Sequence, residues 1–226
     1  MKLLKNNRGY SLIEIIAGLP LVALVFVIFG IGTVHFVTNF QEVKLYSQLQ
    51  QDLFDAIEVM RHGYMCQGVT DDEGLIGIAT AKKVRVGESR NYIWVYPLTL
   101  NETEEENYKV RFSVNDNMQL ETKGYYGINR YQNKMVFPTT PIKYIGREPQ
   151  FKIKNPLQIW TVTETDAQGN PLLLDIKLVG QVRFREKLRS QSNEDDIRRN
   201  TRTITYETSI FLGNSHASLE IEEEEE

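Results

Sequence analysis

The stretch RGYSLIEIIAGLPLVALVFVIFGIG, from Arg8 to Gly32, is apolar almost throughout but contains one carboxylate, Glu14. A carboxylate at the centre of a membrane-spanning helix costs about 2.5–3.5 kcal/mol on insertion scales. A glutamate in such a setting is normally paired with an opposite charge. The residues around Glu14 therefore have to account for its presence.

The apolar segment is long enough to cross a membrane. From Ile15 to Gln41 the chain contains no Asp, Glu, Lys or Arg. At 1.5 Å per residue this is about 40 Å of helix, against roughly 30 Å for the hydrocarbon core of a bilayer. Three cations precede the segment: Lys2, Lys5 and Arg8. Glu42 and Lys44 cancel on the far side, so the positive-inside rule predicts a cytoplasmic N-terminus and export of the remainder.

Net charge and cysteine content limit which partners and which kind of fold are possible for the rest of the chain. The net charge is −4, and it is concentrated in the glutamates at 220 and 222–226. The rest of the chain is close to neutral, so we expect no nucleic acid partner, which would need a basic face. The single cysteine, Cys66, excludes an internal disulfide. The fold must then be stabilised by its core, although export would permit disulfides.

Four interpretations of the N-terminus compete, and the first three leave part of it unexplained. A secretory signal peptide has a shorter apolar stretch, and its cleavage site would correspond only weakly to Gly30-Ile-Gly32. A lipoprotein signal would need a cysteine after the apolar run, and none is present. A plain signal anchor tolerates the segment but gives no reason for Glu14.

The residues Gly9-Tyr10-Ser11-Leu12-Ile13-Glu14 resemble the motif of type IV prepilins. The resemblance implies that a prepilin peptidase removes the leader after Gly9 and that Tyr10 is N-methylated. Glu14 then becomes the fifth mature residue. In a filament, the cationic amine of one subunit would neutralise Glu14 of a neighbour, which explains a carboxylate in this position.

The helix is predicted to continue beyond the apolar segment. Pro20 removes one backbone hydrogen bond and favours a kink or local melting. Farther along, apolar residues at helical spacing form a stripe that we expect to bury against a sheet: Val43, Tyr46, Leu49, Leu53, Ile57 and Met60. Polar residues, Asp52 among them, occupy the other positions, and Gly63 is a plausible terminator.

From about residue 82 the hydrophobic period changes to two. Eight segments rich in β-branched and aromatic residues are candidate strands, at 82–86, 91–100, 108–114, 118–122, 134–137, 157–165, 172–184 and 201–212. The turn sequence DAQGNP, Asp166–Pro171, predicts a hairpin between the sixth and seventh segments. The fold class is therefore α+β, with one long N-terminal helix, half membrane-spanning and half amphipathic, packed on a mainly antiparallel β-sheet as in pilins.

Both ends of the exported part also resemble one pilin subgroup. LQQDLFDAIEVMRHGYMCQGV, Leu49–Val69, and TRTITYETSIFLGN, Thr201–Asn214, are similar to the helix end and closing strand of PilW-type minor pilins and GspJ-type pseudopilins. The predicted organisation is a leader at 1–9, a transmembrane helix at 10–41, a pilin-like head at 42–219 with the helix continuing to about residue 62, and a disordered acidic tail at 220–226.

No pattern indicates catalysis, a cofactor or a metal. His35, His62 and His216 are scattered, and none has metal-ligand spacing with Cys66. Motifs for phosphate loops, zinc proteases and serine hydrolases are absent. The acidic run NEDD, Asn193–Asp196, lacks EF-hand spacing and is better explained as a solvated loop than as a Ca²⁺ site. Four aromatic residues in strands are candidates for ligand binding or, more simply, for the core: Trp94, Tyr125, Tyr126 and Trp160.

The expected function is that of a structural minor pilin of a bacterial type IV pilus, acting in assembly or initiation near the filament tip. One alternative is a GspJ-like pseudopilin of type II secretion. Another, of a different class, is a membrane-anchored periplasmic binding or sensory module with an uncleaved helix. Expected partners are other pilins or pseudopilins, prepilin peptidase and the inner-membrane assembly machinery. The expected location is the inner membrane before assembly, and the pilus or pseudopilus afterwards.

Overall fold

The computed structural model describes residues 12–63, 77–87, 90–97, 108–126, 131–139, 141, 143–145, 148–165, 167, 169, 171–184 and 200–212. Predictions for Gly9, Tyr10, Cys66, His216 and the acidic segments at 101–107, 193–196 and 220–226 lie outside these residues. The chain divides into two compact units, Met1–Lys44 and Leu45–Glu226. One helix, α1 (Leu12–His62), contributes residues to both.

In the first unit, α1 is helical through Pro20. Its first part is long and apolar enough to cross a membrane, and its large apolar side chains are exposed. Two threonine hydroxyls bond back to the helix, from Thr33 to the Phe29 carbonyl and from Thr38 to the Val34 carbonyl, each at 2.8 Å. These bonds satisfy the hydroxyls within the helix itself.

In the second unit, one face of α1 is buried, as the apolar stripe predicts. The buried stripe residues are Leu49, Leu53, Ile57 and Met60. The prediction is wrong for Val43 and Tyr46, which are 66% and 39% exposed, and for Asp52, which is only 3% exposed. Spacing marks the buried side of a helix but does not show where burial begins, nor that a paired carboxylate belongs to the buried face.

The predicted end of the helix is confirmed. The helix ends at His62, and Gly63 adopts φ 79°, a left-handed conformation that glycine enters without steric cost. Its N–H donates to the Val59 carbonyl at 2.8 Å, which satisfies one of the carbonyls left open at a helix C-terminus.

Among the described residues, the β-rich part contains two large antiparallel sheets rather than the single sheet that was predicted. The first is a five-stranded meander in chain order, made of β1 (Ala81–Val86), β2 (Tyr92–Pro97), β3 (Tyr108–Val114), β4 (Leu120–Tyr126) and β5 (Tyr131–Phe137). The second contains β8 (Phe151–Ile153), β9 (Trp160–Thr165), β10 (Pro171–Arg183) and β11 (Thr201–Phe211). Residue alternation identifies strands but does not reveal which sheet each strand joins.

All eight predicted strands are present, and the predicted hairpin is the antiparallel pair β9–β10. The sequence did not predict β8 or the two-residue strands β6 (Tyr144–Ile145) and β7 (Glu148–Pro149), which pair with each other. A 3₁₀ turn, Ile78–Thr80, also precedes β1. Strands of two or three residues are too short for alternation to distinguish them from a loop.

The two large sheets are joined by a backbone hydrogen bond. Between β3 and β4, the Asn115 side-chain oxygen accepts the N–H groups of Asn117 and Gln119, which shapes a tight turn. The Met118 carbonyl in this turn accepts the Ile153 N–H of β8 at 2.7 Å. The first sheet is thereby connected to the edge of the second.

The strands β8 and β9 lie along the same side of β10, and a gap separates them. β9 pairs with Pro171–Ile176 and β8 with Gly180–Val182. The Asn155 side chain fills the gap, accepting the Val179 N–H at 2.9 Å and donating to the Lys177 carbonyl at 2.7 Å. One amide side chain thus takes the place of a strand residue.

Helix α1 packs against the middle of β10. A Cβ built on Gly180 would lie 2.7 Å from one Leu53 methyl carbon and 3.0 Å from one of Leu49. These distances are shorter than normal van der Waals contact. Glycine at this position therefore allows the helix to approach the sheet closely.

Candidate assembly helix and other candidate sites

The residues of the predicted processing and assembly site fall at the start of α1. Gly9 and Tyr10 lie outside the described residues. Glu14 is exposed and lies in the first helical turn, where a carboxylate interacts favourably with the helix dipole. Pro20 lies within the continuous helix, two turns later.

The helix surface around Glu14 exposes more contiguous apolar area than is usual for a protein surface in water. The large apolar side chains between Leu12 and Phe40 are 47–76% exposed. Contiguous exposed apolar surface of this size marks a membrane or protein contact. Because every side of the helix is apolar, the surface suits lipid or a bundle of similar helices, rather than one face of a globular core.

The most deeply buried carboxylate belongs to the head. The Thr139 hydroxyl donates to Asp52 Oδ1 at 2.5 Å, and the Thr139 backbone N–H also bonds to the carboxylate. Burial raises the pKa of Asp52, although the two bonds from Thr139 oppose this effect. The second oxygen, Oδ2, is buried without a partner among the described residues. Asp52 joins the helix to the segment after β5, which is a structural role.

Two further carboxylates have lowered pKa values, and both lie in polar pairings on the sheets. Hydrogen bonds from the Ser209 and Thr163 hydroxyls, each 2.6 Å long, lower the pKa of Asp175. A hydrogen bond from Lys152 lowers the pKa of Glu148, with help from the nearby charge of Arg183. The contacts of Asp175 join β10 to β9 and β11, and those of Glu148 join β7 to β8 and β10.

The histidines of the described chain do not gather into a site. His62 Nε2 lies 3.4 Å from Glu58 Oε2 one helical turn earlier, and His35 lies in the apolar half of the same helix. Among the described residues, no group of three His, Cys, Asp or Glu is arranged to hold a metal ion.

The candidate aromatic residues separate into two groups. Trp160 is 2% exposed and belongs to the core, whereas Trp94 and Tyr125 are half-buried on the outward face of the five-stranded sheet. Their ring centroids are 5.4 Å apart. The side chain of Tyr126 lies outside the described residues. Strand position alone did not distinguish these cases, because alternate residues of one strand face opposite sides.

Comparisons of the chain with protein-family models, with curated proteins and with solved structures give no match.

Proposed function

We propose that this protein is a minor pilin of the type IV class, acting in filament assembly or initiation near the tip. It is inserted with its N-terminus in the cytoplasm, cleaved after Gly9 and methylated at Tyr10. One observation carries the proposal. Glu14 is the carboxylate in the first turn of a helix whose other side chains, as far as Gln41, carry no charge and are largely exposed.

The helix supplies the chemistry of assembly. Cleavage after Gly9 creates a cationic amine at Tyr10, and methylation preserves that charge. In a bundle of helices the amine of one subunit pairs with Glu14 of its neighbour, which offsets the cost of placing each charge in an apolar medium. The pair fixes the axial register, and the surrounding apolar side chains pack in the filament interior.

The head has a separate task. Its buried face of α1 and its two sheets form a core of their own, so the head remains folded whether the apolar half lies in lipid or in a filament. Its outward surfaces are then available to partners.

Mass spectrometry of the N-terminus tests the proposal directly. The protein is isolated from native membranes of cells with and without their prepilin peptidase. We expect a chain that begins with N-methylated Tyr10 in the first strain and an unprocessed chain in the second. An intact Met1 in both strains would overturn the proposal and would favour an anchored module with an uncleaved helix.

A further inference from the structure

The outward face of the five-stranded sheet carries cations and aromatic rings in alternation. The register places Arg85 opposite Trp94, Trp94 opposite Arg111, and Arg111 opposite Lys123 on four consecutive strands. Lys109 lies opposite Tyr125 in the next row. We call these six residues the basic aromatic face: Arg85, Trp94, Lys109, Arg111, Lys123 and Tyr125.

The cations and rings of this face are in contact. Lys109 Nζ lies 5.1 Å from the Trp94 ring centroid, and the Arg111 guanidinium carbon lies 5.6 Å from the same centroid. Lys123 Nζ lies 5.3 Å from the Tyr125 centroid. These are cation–π distances, so the three cations lie over the faces of the two rings.

The charge of the face is strongly one-sided. It contains four cations, while the residues on the same side of the five described strands include a single carboxylate, Glu121. In the described part of the chain, no ion pair joins Arg85, Lys109 or Arg111 to a carboxylate. The opposite side of this sheet is core, with Ile93, Val95 and Phe112 buried. The described side chains of the face therefore carry more positive than negative charge.

We propose that the basic aromatic face binds single-stranded nucleic acid. Sequence-tolerant proteins of this kind combine cations that follow the phosphates with aromatic side chains on which bases stack, and the face supplies both at adjacent positions. The inference does not rest on the proposed pilin function. It also reverses the expectation drawn from net charge, because cations distant in sequence gather on one side of the sheet.

The shape of the face favours a single strand over a duplex. Five strands at about 4.8 Å spacing make a surface about 19 Å wide. The major groove of B-DNA is about 12 Å wide and admits a helix or a two-stranded ribbon. In a duplex the base faces are also stacked on one another. The bases of an open strand can stack on Trp94 and Tyr125 when the cations over these rings turn towards the phosphates.

The test measures binding of the purified full-length protein in detergent micelles to a fluorescently labelled oligothymidylate of about twelve nucleotides. The same sequence as a duplex, and heparin of matched total charge, serve as comparison polyanions. Trp94 is also an internal probe, because the other tryptophan, Trp160, is buried. We expect the oligothymidylate to bind more tightly than the duplex and to quench tryptophan fluorescence, with loss of that quenching in Trp94→Phe.

Charge variants test the phosphate contacts. The connection between β2 and β3 contains glutamates at 102 and 104–106 and lies outside the described residues. The variants therefore change two cations of the row formed by Arg85, Trp94, Arg111 and Lys123, rather than Lys109 at the start of β3. The double variant Arg85→Gln/Arg111→Gln should weaken binding and lower the salt-dependence slope by about 1.4, at about 0.7 per phosphate. The control Lys143→Gln/Lys154→Gln removes two exposed cations elsewhere and should leave the slope unchanged.

A stacking variant tests the aromatic contribution. Trp94→Leu should lower the affinity by roughly five- to a hundredfold, whereas Trp94→Phe should retain most of it because base stacking needs only an aromatic surface. Urea unfolding of each variant confirms that the head remains folded. The proposal is overturned by absence of oligothymidylate binding, by equal loss in the control pair, or by heparin binding as tightly with no role for Trp94.

Discussion

The two halves of helix α1 place opposite demands on their surroundings. Between Leu12 and Phe40 the large apolar side chains are exposed. From Leu49 to Met60 most apolar side chains are buried against the core of the head, and the exposed positions are polar except for Phe54, which is 49% exposed. The comparison shows that one continuous helix can serve two environments when its sequence changes from apolar all round to apolar on one face.

The largest expected effect is that of Glu14→Ala on assembly. If Glu14 pairs with a neighbour's amine, its loss leaves that amine unpaired in an apolar medium, and we expect assembled protein to fall by more than roughly tenfold. The measurement is the amount of the protein recovered in sheared filaments relative to total membrane protein.

The control is Glu42→Ala, which removes a carboxylate of the same helix beyond the apolar segment. We expect normal recovery from this variant. Equal assembly of the Glu14 and Glu42 variants would contradict the role proposed for Glu14. It would mean that Glu14 is not needed for assembly and that the helix is an ordinary membrane anchor.

A matched pair of leucine truncations tests whether the two halves of α1 differ in their contribution to the stability of the head. Leu53→Ala removes a fully buried side chain and should lower the free energy of unfolding of the head by about 2–5 kcal/mol. Leu24→Ala removes a side chain that is 57% exposed in the apolar half and should leave that energy unchanged. Urea titration in micelles, followed by tryptophan fluorescence, measures both. Equal effects would mean that the two halves do not differ in burial.

A third variant tests the close approach of α1 to β10. The Cβ of Gly180→Ala would press on Leu53 and Leu49, and overpacking of this kind costs about 1–3 kcal/mol. The same urea titration should report that loss. Combining Gly180→Ala with Leu53→Ala, which makes room for the added methyl, should cost less than the sum of the two single changes. Additive losses would show that Gly180 and Leu53 do not meet.

The smallest expected effect is a pH trend at Asp52. Burial raises the pKa of this carboxyl above its ordinary value of 3.8, so its contribution to stability is fully present below that value and is lost as the pH rises through the folded-state pKa. Asp52→Asn carries no charge at any pH. The stability of the variant relative to the wild type should therefore increase from about pH 3 to about pH 7. A constant difference across this range would contradict the assigned burial.

Much of the architecture could be predicted from residue spacing, and the failures have physical causes. The end of α1 and all eight predicted strands follow from period and from Gly63. β8 was missed because three residues, even though they alternate between buried and half-buried, are too few to distinguish a strand from a loop. Asp52 was assigned to the wrong side of the helix because its partner, Thr139, is distant in sequence.

The candidate sites divide in the same way. The motif ending at Glu14 is contiguous, so it can be proposed from the sequence alone. The basic aromatic face is invisible in the sequence because Arg85, Trp94, Arg111 and Lys123 come from four strands and meet only through sheet register. The net charge of the whole chain does not reveal such a cluster, because acidic residues elsewhere in the sequence offset its cations.

The Asn155 side chain between β8 and β9 also affects which backbone groups of β10 are open to another chain. An unpaired stretch of backbone along a strand is a template on which another chain can add, and such edges lead to aggregation. Because Asn155 holds the Val179 N–H and the Lys177 carbonyl, these two groups are not open to a strand from a second molecule. A single amide thus closes the short stretch of β10, the longest described strand, that neither β8 nor β9 pairs with.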